Sequence, residues 1–367
     1  MNNILVTRSS MPPLEEYVKE VESLWKSHWL TNNGAKHKEF ETRLRDYLGV
    51  QNVALFTNGH SALECAIDAL ELTGKVITTP FTFASTTHAV VRRGLEPVFA
   101  DIKESDYTLD PESVEVLVDD DVSAIVPVHV YGNLCDVEAI QSIADRHGIK
   151  VIYDAAHAFG VKKNGVSSAA FGDASMFSFH ATKVFNTIEG GAVAFKDPDL
   201  AKPLAEWKNF GITGPETVEY VGGNAKMNEF CAAMGICNLR HLDEEIAKRH
   251  LVHDRYHERL GGVQGLKLSP VQEGVQPNYS YLPVVFEDSF GATRDEVFQA
   301  LAGNGVGARK YFYPLVSDYA CYEGRFDSSK TPVARHVANR VLTLPMYADL
   351  ARDDVDRICD IVLASRK

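Results

Sequence analysis

Asp154, His157 and Lys183 are the residues whose types and spacing could do chemistry together. Asp154 closes the apolar run VIYD, and His157 follows in DAAHAFG. Lys183 ends the hydroxyl-bearing turn SFHATK, ahead of Gly190-Gly191. A carboxylate at the C-terminal end of a strand stands where open α/β sheets present ligand-binding groups. With the small residues after it, it suits a buried cation; the other reading is a cap for a following helix. A lysine that condenses with a carbonyl needs a partly desolvated site that frees its amine. The other reading of Lys183 is a solvated loop charge, against which the neighbouring aromatic and glycine residues weigh.

An aspartate ending a strand and a lysine further on make the pair that pyridoxal phosphate needs. The acid keeps the pyridine nitrogen protonated so that the ring draws electrons, and the lysine holds the aldehyde. Such a cofactor also needs a phosphate cradle. TNGHSAL, Thr57 to Leu63, offers a glycine with bare N–H groups at the mouth of a helix whose dipole favours anions. Alone, that turn is a weak signal.

These residues need elements to position them. From about residue 51 apolar runs alternate with helical stretches, an α/β pattern. Asn52–Phe56, VITTP, EPVFADI, VSAIVPVHV and IKVIYD read as strands, mostly parallel and covered on both faces. ASMFSF and GAVAF add two more. CDVEAIQSIADRHG reads as a helix with an aspartate start and a Gly148 stop. A long helix runs from Asn228 to about Leu260, and strands and capped helices after it form a smaller α+β lobe. The division expected is a large domain over 1–245 and a smaller one over 246–367.

The chain has 367 residues, 45% apolar and 24% charged, which is globular and long enough for about two domains. Lys+Arg 37 against Asp+Glu 50 leaves −13. That field repels polyanions and argues against a general nucleic-acid or anionic-membrane binder, while allowing a small anion held by local positive groups. The N-terminus lacks the pattern of a secretory signal, and no apolar run is long enough to span a bilayer, so a cytoplasmic protein is expected. Six scattered cysteines with no CxxC pair read as reduced buried thiols, not as disulfides or a metal site.

The blocks TNGHSAL, TTPFTFASTTHA, VPVHVYGNLCDVEAI, IYDAAHAFG, FSFHATKVFNTIEGGAV, GGNAKMNEFCAA and LPMY occur in one order from about residue 24 to 348. In this the chain resembles the pyridoxal-phosphate sugar aminotransferases of the DegT/StrS family. The resemblance implies the aspartate aminotransferase (fold type I) architecture, with a mostly parallel seven-stranded sheet and a smaller C-terminal α+β domain. It implies that Lys183 is the catalytic lysine that holds the cofactor and shuttles the proton, and that Asp154 pairs with the pyridine nitrogen. His157, where the family often has glutamine, would hydrogen-bond the ring hydroxyl. Phe83 would stack on the ring, and Gly59, His60 and Ser178 would hold the phosphate. Asn224 would reach the phosphate of a partner subunit, making a homodimer. Arg309, with Lys310 beside it and an aromatic group including Tyr311 and Tyr313, would meet the substrate diphosphate.

Two departures stand out: His60 occupies a position usually threonine, and Ala225 follows Asn224 where an aromatic is common. A related sugar dehydratase carries histidine in place of the lysine, so Lys183 favours transamination. The donor implied is L-glutamate, leaving as 2-oxoglutarate. The acceptor implied is a dTDP-keto-deoxysugar, the blocks standing nearest the group that aminates dTDP-4-keto-6-deoxyglucose at C4. Amination at C3 is the runner-up. A cofactor-binding regulator lacks any basic DNA-binding module here, and a nicotinamide dehydrogenase lacks GxGxxG after the first strand.

Overall fold

The computed structural model describes residues 3–367. Seven strands form the central sheet: β1 (Asn52–Phe56), β2 (Lys75–Thr78), β3 (Glu96–Phe99), β4 (Val122–Ile125), β5 (Lys150–Asp154), β6 (Ala174–Ser178) and β7 (Gly191–Phe195). Their spatial order is β1-β7-β6-β5-β4-β2-β3. All pairings from β6 to β3 are parallel, and β7 runs antiparallel to both β1 and β6. Successive side chains alternate between two cores. Val76, Ala124 and Ile152 pack with Leu63 and Ala66 on one face, while Ile77, Ile125 and Val151 pack with Ile140 and Ile143 on the other. This two-sided burial is why these strands read as continuous apolar runs.

VSAIVPVHV is not one strand. Pro127 has no N–H to donate to a ladder, β4 ends at Ile125, and contact with β5 resumes only as a single bridge from Val128 to Asp154. The Val137–His147 helix has the expected ends: the Asp136 carboxylate accepts from Ala139 N–H, and Gly148 turns the chain at φ +66°.

A helix of 32 residues, Glu229–Leu260, ties the sheet to the C-terminal region. There Leu266–Leu268, Leu282–Phe286 and Val341–Leu344 form an antiparallel sheet in that order. Val284, Leu342, Val355 and Ile358 bury against Val252, Tyr256 and Leu260 of the long helix. Two further helices, Leu14–Ser27 and Ala35–Leu48, precede the sheet. The second begins at Gly34, which has no side chain to cap it. The buried Glu229 carboxylate does so instead, accepting from Lys36 N–H at 2.7 Å and His37 N–H at 3.1 Å. A Cβ on Gly34 would lie 2.5 Å from that carboxylate.

Among the described residues no helix is long and apolar enough to cross a membrane. All six cysteines are unpaired. Cys231 is half-buried and Cys321 exposed, which corrects the expectation of a wholly buried set.

Candidate active site

The C-terminal ends of β5 and β6 and the loop after β1 open onto a cavity of about 340 Å³. Nine of the residues singled out from the sequence line it: Gly59, His60, Phe83, Asp154, His157, Ser178 and Lys183 from the first half of the chain, and Arg309 and Tyr311 from the second. Asn224 does not. It is exposed beside the Ile212–Gly214/Thr217–Val218 hairpin, where Lys226 Nζ donates to its side chain at 2.9 Å.

Asp154 is 4% exposed. Its carboxylate accepts from Thr86 Oγ1 at 2.7 Å and from Ala156 N–H at 3.1 Å. No helix follows it, so the capping alternative falls away. No lysine or arginine among the described residues forms an ion pair with it. Burial raises its pKa above the ordinary carboxylate value, against the Thr86 and Ala156 hydrogen bonds and the charges of Lys183 and His60. A carboxylate desolvated without its own cation is arranged for a cationic ligand.

The His157 ring lies flat against Phe312, at 5.9 Å and 9°. Its Nδ1 accepts from Tyr131 N–H at 3.1 Å, so the neutral ring carries its proton on Nε2, free to donate. Burial, with the charge of Lys183 adding to it, holds its pKa well below the usual value. Lys183 is half-buried, its Nζ 6.0 Å from the centre of the Tyr281 ring.

The Gly59–Ala69 helix starts beneath this cavity. Asn58 Oδ1 accepts from Ser61 N–H at 2.8 Å. The N–H groups of Gly59 and His60, in the first turn, have no intrahelical acceptor. The backbone comes close enough to β6 and β7 only because two residues lack a Cβ. One on Gly59 would lie 2.9 Å from Ser178 Cβ, and one on Gly191 would lie 2.6 Å from Asn58 C. Phe83 is 53% exposed, and its ring faces Tyr311 across 6.4 Å.

Arg309 is held by two backbone hydrogen bonds with Thr343, and its exposed guanidinium has no carboxylate partner among the described residues. Tyr311 shares the cavity, but Lys310 and Tyr313 do not, which corrects their grouping with it. Lys310 pairs with Asp295 at 2.6 Å, and Tyr313 lies against the Arg294 guanidinium. Sequence reasoning missed Thr86, Ser85, Tyr281, His180 and Glu189, all of which contact Asp154 or line the cavity. Thr86 had a usable signal, since it lies one helical turn past Phe83 in a block already singled out. Tyr281 had none, because an aromatic in a C-terminal strand reads as core.

A sheet presenting a buried acid and a lysine at its strand ends, over a glycine-bounded helix start, is the site of a fold type I aminotransferase. The chain belongs to the DegT/DnrJ/EryC1/StrS aminotransferase family, whose model matches residues 14–363. It is 41% identical to an Escherichia coli protein named dTDP-4-amino-4,6-dideoxy-D-glucose transaminase, over 98% of both chains. A Shigella dysenteriae protein of the same name is 40% identical, again over 98% of both. The solved structure of DesI in the presence of its TDP-sugar product superposes with a TM-score of 0.94 at 35% identity, covering 99% of this chain and 93% of that one.

Proposed function

We propose that this chain moves an amino group from L-glutamate to C4 of dTDP-4-keto-6-deoxy-D-glucose, giving dTDP-4-amino-4,6-dideoxy-D-glucose and 2-oxoglutarate, with pyridoxal 5'-phosphate as cofactor. What carries the reading is the buried Asp154 carboxylate, without a cation of its own, in one cavity with Lys183. The chain's relatives named for this product set the choice of sugar. When bound, the cofactor supplies an electron sink and carries the amino group between the two substrates.

The residues present fit that group. Asp154 pairs with a protonated ring nitrogen through a charge-assisted hydrogen bond, which relieves the desolvation of its carboxylate. Nε2–H of His157 donates to a ring oxygen, and the neutral ring adds no competing charge. Phe83 closes one face and limits water. The backbone N–H groups of Gly59 and His60, with Ser178, take the phosphate. Lys183 is the one lysine lining the cavity among the described residues. Its Nζ would hold the cofactor and would serve as the base and acid for the proton at the reacting carbon. Arg309 offers its planar fork to the sugar diphosphate, a local positive group on an acidic chain.

The same reading makes the protein a cytoplasmic homodimer. Asn224 belongs to a segment with exposed apolar side chains, Phe210, Val218 and Val221, as suits a surface that a second copy covers. From there Asn224 reaches the neighbour's phosphate. Product NMR after incubation with glutamate and dTDP-4-keto-6-deoxy-D-glucose tests the assignment. An equatorial amino group at C4 is expected. Amination of the 3-keto isomer instead moves the enzyme to the C3 class, and no amino sugar from either refutes the proposal.

A further inference from the structure

His60 stands where a threonine is usual, and its ring is engaged at both nitrogens. Nδ1 lies 2.9 Å from Ser85 Oγ on the neighbouring Ala84–Arg92 helix. Nε2 lies 3.5 Å from Glu64 Oε1, one turn along its own helix. Arg92 Nε holds the same Glu64 oxygen at 2.6 Å. Arg92, Glu64, His60 and Ser85 thus form a chain of contacts that ends at the cavity, which His60 and Ser85 both line. Glu64 is half-buried, yet the hydrogen bonds of His60 and Arg92 outweigh that burial and hold its carboxyl at about 2. It is therefore charged at any working pH.

The polarity of this chain depends on one proton. In the neutral ring Nε2–H faces Glu64, and Nδ1 accepts from the Ser85 hydroxyl, which turns the serine proton away from the cavity. In the imidazolium both nitrogens donate. Nδ1–H then goes to Ser85 Oγ, and the serine O–H is released to donate elsewhere. Resting on the placement of the cofactor phosphate at this helix start, we propose that His60 and Ser85 form a proton-linked clamp. Docking of the phosphate dianion recruits a proton to His60, and the Ser85 hydroxyl reverses to donate to the phosphate.

The Glu64 carboxylate lies on one side of the ring, and the docked dianion would lie on the other. The other charged or titratable groups around it are His88 and Arg92 on the Ala84–Arg92 helix, and Asp154, His157, His180, Lys183, Glu189 and Arg309 lining the same cavity. His88 is kept from competing for the proton by its own burial, and then by the charges of His60 and Arg92. A threonine at position 60 could offer a hydroxyl but no charge, so the clamp makes cofactor affinity depend on pH in a way a threonine cradle does not.

The test is calorimetric binding of pyridoxal 5'-phosphate to the cofactor-free protein, in buffers of different ionisation heat, for wild type, His60→Thr and His60→Asn. Asparagine keeps a hydrogen bond to Ser85 without a titrating ring. The charge-assisted contacts predict binding about tenfold or more weaker in both variants near pH 6.5, shrinking to within about threefold near pH 9. Wild type should take up more protons on binding than either variant. Ser85→Ala should weaken binding while keeping that uptake. Equal proton uptake and parallel pH profiles for wild type and both His60 variants would overturn the clamp alone. Wild type that binds no cofactor at Lys183 would overturn the site assignment as well.

Discussion

Asp154→Asn should act in opposite directions on the cofactor-free and the working protein. In the cofactor-free protein the carboxylate is buried with two hydrogen bonds and no cation. Asparagine can keep both contacts. Its oxygen accepts from Ala156 N–H, and its amide donates to Thr86 Oγ1, whose hydroxyl can turn to Thr82 Oγ1 at 3.0 Å. The substitution therefore removes an uncompensated buried charge at little cost in hydrogen bonding. A gain of about 1–3 kcal/mol is expected near pH 8, set against the several kcal/mol that burying an unpaired ion costs. Burial raises the folded-state pKa of Asp154, so the sign with pH follows. Below the ordinary carboxylate pKa the acid is neutral in both states and the gain is absent. As pH rises through and beyond that value, wild type loses stability that the variant keeps. With cofactor present the variant lacks the anion that holds the ring nitrogen protonated, and turnover should fall about a hundredfold or more, as for breaking a buried pair. Thermal denaturation of both cofactor-free proteins from pH 5 to 9, beside steady-state kinetics, checks this. A variant destabilised by 2 kcal/mol or more (roughly the cost of losing two hydrogen bonds) with the same pH slope as wild type would make Asp154 a plain structural acceptor and refute the reasoning.

Borohydride reduction of the cofactor-loaded protein should label Lys183 alone, and Lys183→Ala should fold, lose the visible absorbance of the lysine-bound cofactor and turn over nothing. Peptide mapping decides it, and a label on another lysine would move the site. Arg309→Ala should raise KM for the keto-sugar by about tenfold to a hundredfold, the worth of a bidentate charge-assisted contact, and leave the glutamate half-reaction within about twofold. Equal damage to both half-reactions would give Arg309 a role in folding or in the cofactor site. Mixing inactive Lys183→Ala with an inactive Asn224→Ala protein under subunit exchange should restore part of the activity, because one site of the hybrid draws both intact residues. No recovery despite proven exchange would contradict a shared site.

The sheet was legible because its strands bury both faces, which leaves runs such as KVIYD with little polar interruption. The site was legible where chemistry demands one residue type at one place: the strand-end acid, the lysine, and the glycine where backbones nearly touch. Legibility failed where a contact comes from far along the chain. Tyr281 meets the cavity from the C-terminal region and carries no local sign of it. Arg309 and Tyr311, from the same region, are legible only through the family resemblance, and nothing local in the sequence separates Arg309, which lines the cavity, from Lys310, which pairs with Asp295. The helix Ala35–Leu48 went unassigned because its start shows glycine in place of the usual capping side chain. VSAIVPVHV was over-read because its apolar content masked the missing donor at Pro127.

That distant cap also orders events during synthesis. The backbone donors of Lys36 and His37 emerge early, but the carboxylate that satisfies them is made 193 residues after the first of them. Until Glu229 has left the ribosome, the start of this helix has only water to bond to, and a helix of 14 residues is marginal by itself. The N-terminal segment must therefore wait, loosely structured, until all seven strands of the large sheet have been translated. Premature chains ending before residue 229 should be sensitive to proteolysis around residues 30–40, and the full-length chain should not. Gly34 and Glu229 also constrain each other sterically: a side chain at 34 needs the carboxylate at 229 shortened or turned away.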